Sequence, residues 1–247
     1  MIKGSNDKWI RPRLSRGVIE MIILILAFVV SLVPAIALYR WMKNRIKEEE
    51  AYKELCKSAL KKGILCIFPI LLVSAVFQII IALTGIKNAN PLLYKALYNF
   101  IVLALAEELV KYLAFRRTLK QTDYKVSWMD AAVLLTIVGI GFDLIESLVY
   151  AIGASVPVVL IRGICVPHAG YGFLAGYFYG KGVKNGNTFT RRIGFVLAWL
   201  MHGLYDFSLS EEFVAVNDNL VIIPFVLAIM DIVLVILLIR FVKKRKT

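Results

Sequence analysis

Ten ionisable side chains sit inside long apolar runs of this 247-residue sequence: Glu107, Glu108, Lys111, Asp143, Glu146, Arg162, His168, His202, Asp206 and Asp231. Both histidines of the chain are among them. Ionisable groups in an apolar medium are expensive and are kept for structural pairing or for chemistry. In the run Glu107-Glu108-Leu109-Val110-Lys111, either glutamate shares a helical face with the lysine, at four or three residues. One carboxylate is therefore neutralised by Lys111 and the other is left about 100° around the helix. A carboxylate withdrawn from water and from cations holds a proton more readily, which is how a glutamate becomes a general base near neutral pH.

The other groups extend the set. Asp143 and Glu146 are three apart on one face, and Arg162 beyond the next turn is expected to balance one of them. His168 follows Pro167, and His202 lies four residues before Asp206, which is placed to fix its tautomer. Counted at about 1.5 Å per residue, Glu107, His168 and His202 all fall near the middle of their runs. One cavity could gather them, with Glu146 nearer the outer face. Asp231 has no evident role and is expected to pair with Lys111 or Arg162.

The elements that must position these groups follow from the apolar patterning. The chain is 60% hydrophobic, and the excess lies in runs near the 20 residues that a bilayer core requires. Seven candidate spans result: Val18–Trp41, Gly63–Leu83, Leu93–Phe115, Met129–Ile152, Val156–Gly180, Ile193–Leu209 and Leu220–Val242. The fold class is all-α, a polytopic transmembrane helix bundle of about seven spans. Residues 1–17 read as an N-terminal tail, 18–242 as one membrane-embedded domain, and 243–247 as a basic cytoplasmic tail. The first span also has features of a signal peptide, but its length and the basic segment after it favour a permanent anchor.

A formal charge of +13 raises the question of nucleic acid, and its placement argues against that. Of 30 Lys and Arg, 21 fall in Arg40–Lys62, Arg116–Lys125, Lys181–Arg192 and the segment from Arg240 onward, all on one side of a seven-span chain. The positive-inside rule makes that side cytoplasmic, with the N-terminus outside and the C-terminus inside; the basic tail at Lys3–Arg16 runs against this. Segment Lys43–Lys62 is expected to be an interfacial helix with Tyr52, Leu55 and Leu60 on the bilayer. Gly172, Gly176 and Gly180 make a smooth face for a neighbouring helix. Cys56, Cys66 and Cys165 show neither disulfide nor metal spacing.

The ordered motifs Glu107-Glu108-Leu109-Val110-Lys111, Gly141-Phe142-Asp143-Leu144-Ile145-Glu146, Arg162 to His168-Ala169, and His202-Gly203-Leu204-Tyr205-Asp206 resemble those of the PrsW family of intramembrane proteases. The resemblance runs from about Pro34 to Phe207. That family is similar in turn to the glutamic-type prenyl-protein endopeptidases, whose pattern is Glu-Glu-x-x-x-Arg, Phe-x-x-x-His and His-x-x-x-Asn. Here the basic residue comes one position earlier and is Lys111, Glu146 stands in place of a histidine, and Asp206 in place of asparagine.

The resemblance implies a membrane endopeptidase acting on a membrane-anchored protein, of the kind that makes the first cut in an anti-sigma factor near the outer face. By role, Glu107 would activate water, with Glu108 an alternative base. His168 would position that water or carry the proton, and His202, oriented by Asp206, would stabilise the oxyanion. Glu108, Lys111, Glu146, Arg162 and Asp206 would support them. No cofactor is expected on this reading. The nearest rival is a zinc protease with His168, His202, Glu108 and Glu146 as ligands, although two histidines four apart on one helix are absent. A proton-coupled transporter is the rival from another class, and a scaffold without chemistry a third.

Overall fold

A computed structural model describes residues 16–45, 49–121, 125–153 and 155–244. Among them every regular element is helical, as expected for an all-α chain. In order these are α1 (Arg16–Lys43), α2 (Glu50–Leu65), α3 (Ile67–Leu83), the short α4 (Ile86–Ala89), α5 (Pro91–Leu97), a π-helical segment (Tyr98–Leu105), α6 (Ala106–Lys120), α7 (Trp128–Gly153), α8 (Val156–Cys165), α9 (Pro167–Lys184), α10 (Thr188–Ser208), the short α11 (Glu211–Val214), a 3₁₀ turn (Asp218–Val221) and α12 (Ile222–Lys244). The expected tail at 1–15, positions 46–48 of the interfacial segment, 122–124 and 154 of two loops, and 245–247 of the basic tail lie outside the described residues.

Four stretches are long and apolar enough to cross a membrane: Gly17–Lys43, Trp128–Ile152, Val156–Lys184 and Asp218–Lys244. The bent pair α2 and α3, at 41°, makes a fifth if it is one span. The count by length and composition is thus four or five, against an expectation of about seven. The two remaining runs are α5 through α6 and α10. They carry Glu107, Glu108, Lys111, His202 and Asp206, besides Arg116, Arg117, Arg191 and Arg192 at their basic ends, and these charges interrupt both runs.

The helix α9 runs through the middle, packed against α7, α10 and α12. Burial separates inner from outer helices. In α7, 72% of the apolar window is covered by protein, against 22% in α1 and in α12, whose Ile, Leu and Val side chains face outward as lipid requires. Glycine decides how closely the inner helices meet. A Cβ on Gly172, Gly176 or Gly180 would run into the backbone of Leu135, Ala131 or Trp128 on α7, and one on Gly139 into the carbonyl of His168. The spaced glycines therefore do form a close-packing face, and α7 is what meets it.

One expectation is corrected. Tyr52 and Leu55 do not lie on the bilayer; both are buried, with Cys56, Ala59 and Gly63, on the stripe by which α2 packs on α7, and Leu60 is half-buried against the same core. Gly63 and Gly141 let these backbones touch. An apolar stripe at helical spacing has the same appearance whether lipid or protein covers it. The three cysteines are free and buried.

Replacing Gly172 by valine should force α7 and α9 apart. The expected loss is at least about 2 kcal/mol of stability, from overpacking against backbone that has nowhere to move. Thermal unfolding of the detergent-solubilised protein measures it, with Gly17→Ala, at an open position of α1, as the comparison.

Candidate active site

Four elements bring the polar residues to one place. The α6 helix supplies Glu107, Glu108 and Lys111 from its first turns, α7 supplies Asp143 and Glu146, α9 opens with His168, and α10 supplies His202 and Asp206. Arg162 reaches in from α8. All but Arg162 and Asp206 are buried, and those two side chains are only 9% and 11% exposed.

The local structure that aims Glu107 and Glu108 is the π-helical segment directly before them. Its wider turn shifts the phase of everything that follows, so the face on which the two glutamates appear is set there. Two neighbouring side chains hold its carbonyls: Ser74 Oγ donates to Val102 O at 2.7 Å and Trp199 Nε1 to Phe100 O at 2.6 Å. His168 is aimed by a different device. Helix α8 ends at Val166 in the left-handed region, φ 45°, a conformation costly for a β-branched residue. The chain restarts as α9 at Pro167, and the Asp143 carboxylate accepts the freed backbone N–H groups of His168 (3.2 Å) and Ala169 (3.1 Å). Asp143 thus caps α9 from across the interface rather than pairing with Arg162.

The charges form one connected chain. Lys111 Nζ donates to Glu108 Oε1 and to His168 Nδ1, both at 2.6 Å. His168 Nε2 lies 2.7 Å from Glu146 Oε2, and Arg162 donates to the other oxygen of Glu146 at 2.7 Å. Arg162 also stands 3.7 Å from Asp206. Of the two glutamates it is Glu108 that Lys111 neutralises. Glu108 also accepts from His202 Nδ1 at 3.0 Å, so it is Glu108 that orients His202 by hydrogen bond. Asp206 Oδ2 lies 3.1 Å from Nε2 of that ring, but the two are not aligned as a hydrogen bond.

Proton bookkeeping fixes the histidines. An ammonium only donates, so His168 Nδ1 accepts from Lys111 and the ring proton sits on Nε2, directed at Glu146. A carboxylate bonded to an ammonium only accepts, so His202 Nδ1 carries a proton and Nε2 is the atom whose proton can come and go.

Two buried atoms in the middle of this network have no hydrogen-bond partner: Glu107 Oε2 and His202 Nε2. They face each other at 3.7 Å, with His168 Nε2 at 3.9 Å from the same glutamate oxygen. These distances are too long for direct hydrogen bonds and suit one bridging oxygen atom. A cleft of about 480 Å³ reaches the site, lined by Ser74, Gln78, Tyr98, Glu107, Glu146 and Asp206 among apolar side chains of α3 and α7.

A divalent cation would draw on Glu107, His168 and His202, whose donor atoms lie within 4.8 Å of one another. Glu108, expected among possible ligands, is not in that group. Glu107 Oε2 and His202 Nε2 fit a metal, being buried and without a hydrogen bond, although Asp206 Oδ2 stands 3.1 Å from the latter. His168 fits less readily, because its Nε2 would have to give up the proton it directs at Glu146. A second group, Asp143, Glu146 and His168, is committed to the α9 cap and to Arg162. A zinc ion held here would take Glu107, His202 and, once its ring has lost the Nε2 proton, His168 as the three protein ligands usual for a catalytic site.

Three aromatic residues, of which the motifs named only Phe142, complete the site. Phe142 meets His168 edge-on at 4.8 Å and lies under Lys111 Nζ at 4.7 Å. Tyr150 lies 4.0 Å under the Arg162 guanidinium. Tyr171 stacks on His202 at 5.2 Å and 18°, and its hydroxyl donates to Asp231 Oδ2 at 3.1 Å. Asp231 was expected to pair with Lys111 or Arg162; its partner is Tyr171, one turn beyond His168 on α9. The spacing of Tyr171 from His168 was the available signal.

Comparison with known proteins points to one family. A family-wide sequence profile described as "PrsW family intramembrane metalloprotease" matches residues 53–237. Among similar proteins is a Protease PrsW of Oceanobacillus iheyensis, 27% identical over 72% of this chain and 80% of its own length. A Protease PrsW of Clostridioides difficile is 25% identical over 75% of this chain and 80% of its own length. One of Shouchella clausii is 27% identical over 77% and 85%. No solved structure matches the chain.

Replacing Tyr171 by Phe removes a buried hydrogen bond while keeping the ring on His202. The expected cost is about 1 kcal/mol of stability. Asp231→Asn, which retains an acceptor oxygen, should cost less than Asp231→Leu. Unfolding of Tyr171→Phe, Asp231→Leu and the double variant should show that the two costs do not add.

Proposed function

The chain belongs to the PrsW family of intramembrane proteases, and from that premise we propose that it hydrolyses a peptide bond of a membrane-anchored protein with a water activated by Glu107. The observation that carries this reading is the pair of unpartnered buried atoms, Glu107 Oε2 and His202 Nε2, facing each other beside His168. Glu107 is the one glutamate of the motif that Lys111 does not hold at hydrogen-bond distance, which suits it to take a proton. Glu108, bonded to Lys111 and His202, is a positioning residue.

The sequence of events follows from the donors and acceptors. A water between Glu107 and His202 gives a proton to Glu107 as its oxygen attacks the carbonyl carbon of the scissile bond. The developing oxyanion competes with Glu146 Oε2 for the His168 Nε2–H, which is held as a donor by Lys111 on the far side of the ring. As the C–N bond breaks, the amine takes the proton from Glu107. His202 Nε2 takes the proton that leaves the new carboxyl group and passes it to the departing amine, which leaves as an ammonium. This exchanges the two histidine roles suggested by the motifs alone, since the tautomers favour His168 as the donor. Glu146, itself held by Arg162, holds the edge of the ring and lines the cleft.

A substrate anchored in the bilayer suits the apolar walls of the cleft on the α3 side. The ends of the helices that bound the cleft, at Leu83–Tyr98 and Tyr150, lie opposite the basic ends of α6, α9 and α12. With those basic ends cytoplasmic, the N-terminus lies outside, the C-terminus inside, and the cleft opens toward the outer face. A first cut in an anti-sigma-like protein suits that placement.

A metal-dependent reaction is the second reading, favoured by the family profile's description and by Glu107 and His202 as free donors. The proton on His168 Nε2 counts against it, and no step above uses a metal.

Glu107→Gln is expected to lower cleavage of a membrane-anchored reporter by at least about 10²-fold, the scale of general-base catalysis. Its folding should be unchanged. Glu108→Gln is expected to lower both protein level and cleavage. Full cleavage by Glu107→Gln would overturn the mechanism. So would activity of the purified protein that a chelator abolishes and zinc restores.

A further inference from the structure

On the far side of α9 from the cleft, the C-terminal halves of α9 and α12 enclose a groove of about 720 Å³. Its walls are apolar and aromatic, chiefly Phe173, Tyr177, Leu237 and Phe241, with Phe241 packed at 5.4 Å on Phe173 and 5.8 Å on Tyr177. Tyr177 lies nine residues beyond His168, about 14 Å along the helix at 1.5 Å per residue, so this groove is separate from the catalytic cluster.

The mouth of the groove is cationic. Arg240, Lys243 and Lys244 line it, all three are exposed, and no acidic residue contributes to its lining. The neighbouring lysines of α9 are already engaged: Lys181 sits 4.4 Å over Trp128 and 5.6 Å over Tyr177, and Lys184 5.6 Å over Trp128. Arg240 and Lys243, by contrast, form no ion pair among the described residues. Two cations without a carboxylate, at the end of an apolar helix and above an aromatic-walled groove, call for an anion that carries its own hydrocarbon.

We propose that this groove binds one anionic phospholipid, its acyl chains against Phe173, Tyr177, Leu237 and Phe241 and its phosphate on Arg240 and Lys243. Charge complementarity selects this occupant. A zwitterionic lipid brings a cation of its own to a mouth that already has three, and a free phosphate leaves the apolar walls unfilled. The proposal rests on the membrane placement of α9 and α12 and is independent of the peptidase mechanism.

The test uses the full chain in neutral detergent, with phosphatidylglycerol, phosphatidylcholine or glycerol 3-phosphate added. Native mass spectrometry reads bound lipid and thermal unfolding reads stabilisation. Phosphatidylglycerol is expected to bind one per chain and raise the unfolding temperature, while the other two have little effect. The double variant Arg240→Gln, Lys243→Gln should bind phosphatidylglycerol about thirtyfold more weakly, from about 1 kcal/mol per cation at a membrane surface. Leu237→Trp fills the groove and keeps both cations; it should abolish the one-to-one complex, and it decides the matter if the double variant fails to fold. Equal binding of phosphatidylcholine overturns the proposal, as does equal stabilisation by glycerol 3-phosphate. Retained phosphatidylglycerol binding in Leu237→Trp, or a dimer that this variant dissociates, overturns it as well.

Discussion

A buried ammonium organises this structure. Lys111 is 2% exposed on a helix within an apolar bundle, where an isolated charge is not tolerated. It is made tolerable by Glu108 on its own helix and His168 on another, each at 2.6 Å. Through those two bonds it fixes the proton positions of both histidines: directly on His168, and through Glu108 on His202. Removing one partner of such a network leaves the other buried and unpaired, at a cost of about 3–5 kcal/mol. The network therefore constrains the fold as strongly as it prepares the site.

That constraint can be met only if α6, α7, α9 and α10 approach closely and in the correct register. Small residues provide the approach. The glycines of α9 and Gly139 of α7 bring backbones into contact, so that Asp143 can reach the N–H groups of His168 and Ala169. The register comes from two local irregularities. One is the π-helical segment before Glu107, whose carbonyls Ser74 and Trp199 hold. The other is the left-handed turn at Val166 before His168. Irregular backbone at such places is tolerated in a membrane where protein, rather than lipid, surrounds it.

Burial also divides labour among the helices. Helices α1, α3 and α12 turn large apolar side chains outward and carry few polar groups, while the inner helices spend their hydropathy on the charged cluster. Within its apolar run, before the basic end, α12 departs from this rule at Asp231, which its bond to Tyr171 accounts for. The outer helix is thereby tied to the ring that stacks on His202.

The sequence by itself determined the class of molecule and the membership of the site. Apolar runs interrupted by Glu107, Glu108, Lys111, Glu146, His168, His202 and Asp206 are a local property, and the cost of those groups in lipid makes them legible without any fold. The glycine face of α9 was legible for the same reason. Tertiary structure decided the pairings. Spacing left Lys111 free to hold either glutamate, assigned Asp143 or Glu146 to Arg162, and gave Asp231 a cation it does not have. Which partner wins depends on helix phase, and the phase is set by a π-helical segment and a left-handed valine that leave no mark in composition or periodicity. The stripe on α2 shows the same limit: period reveals that a face is apolar, and only packing reveals that protein, not lipid, covers it.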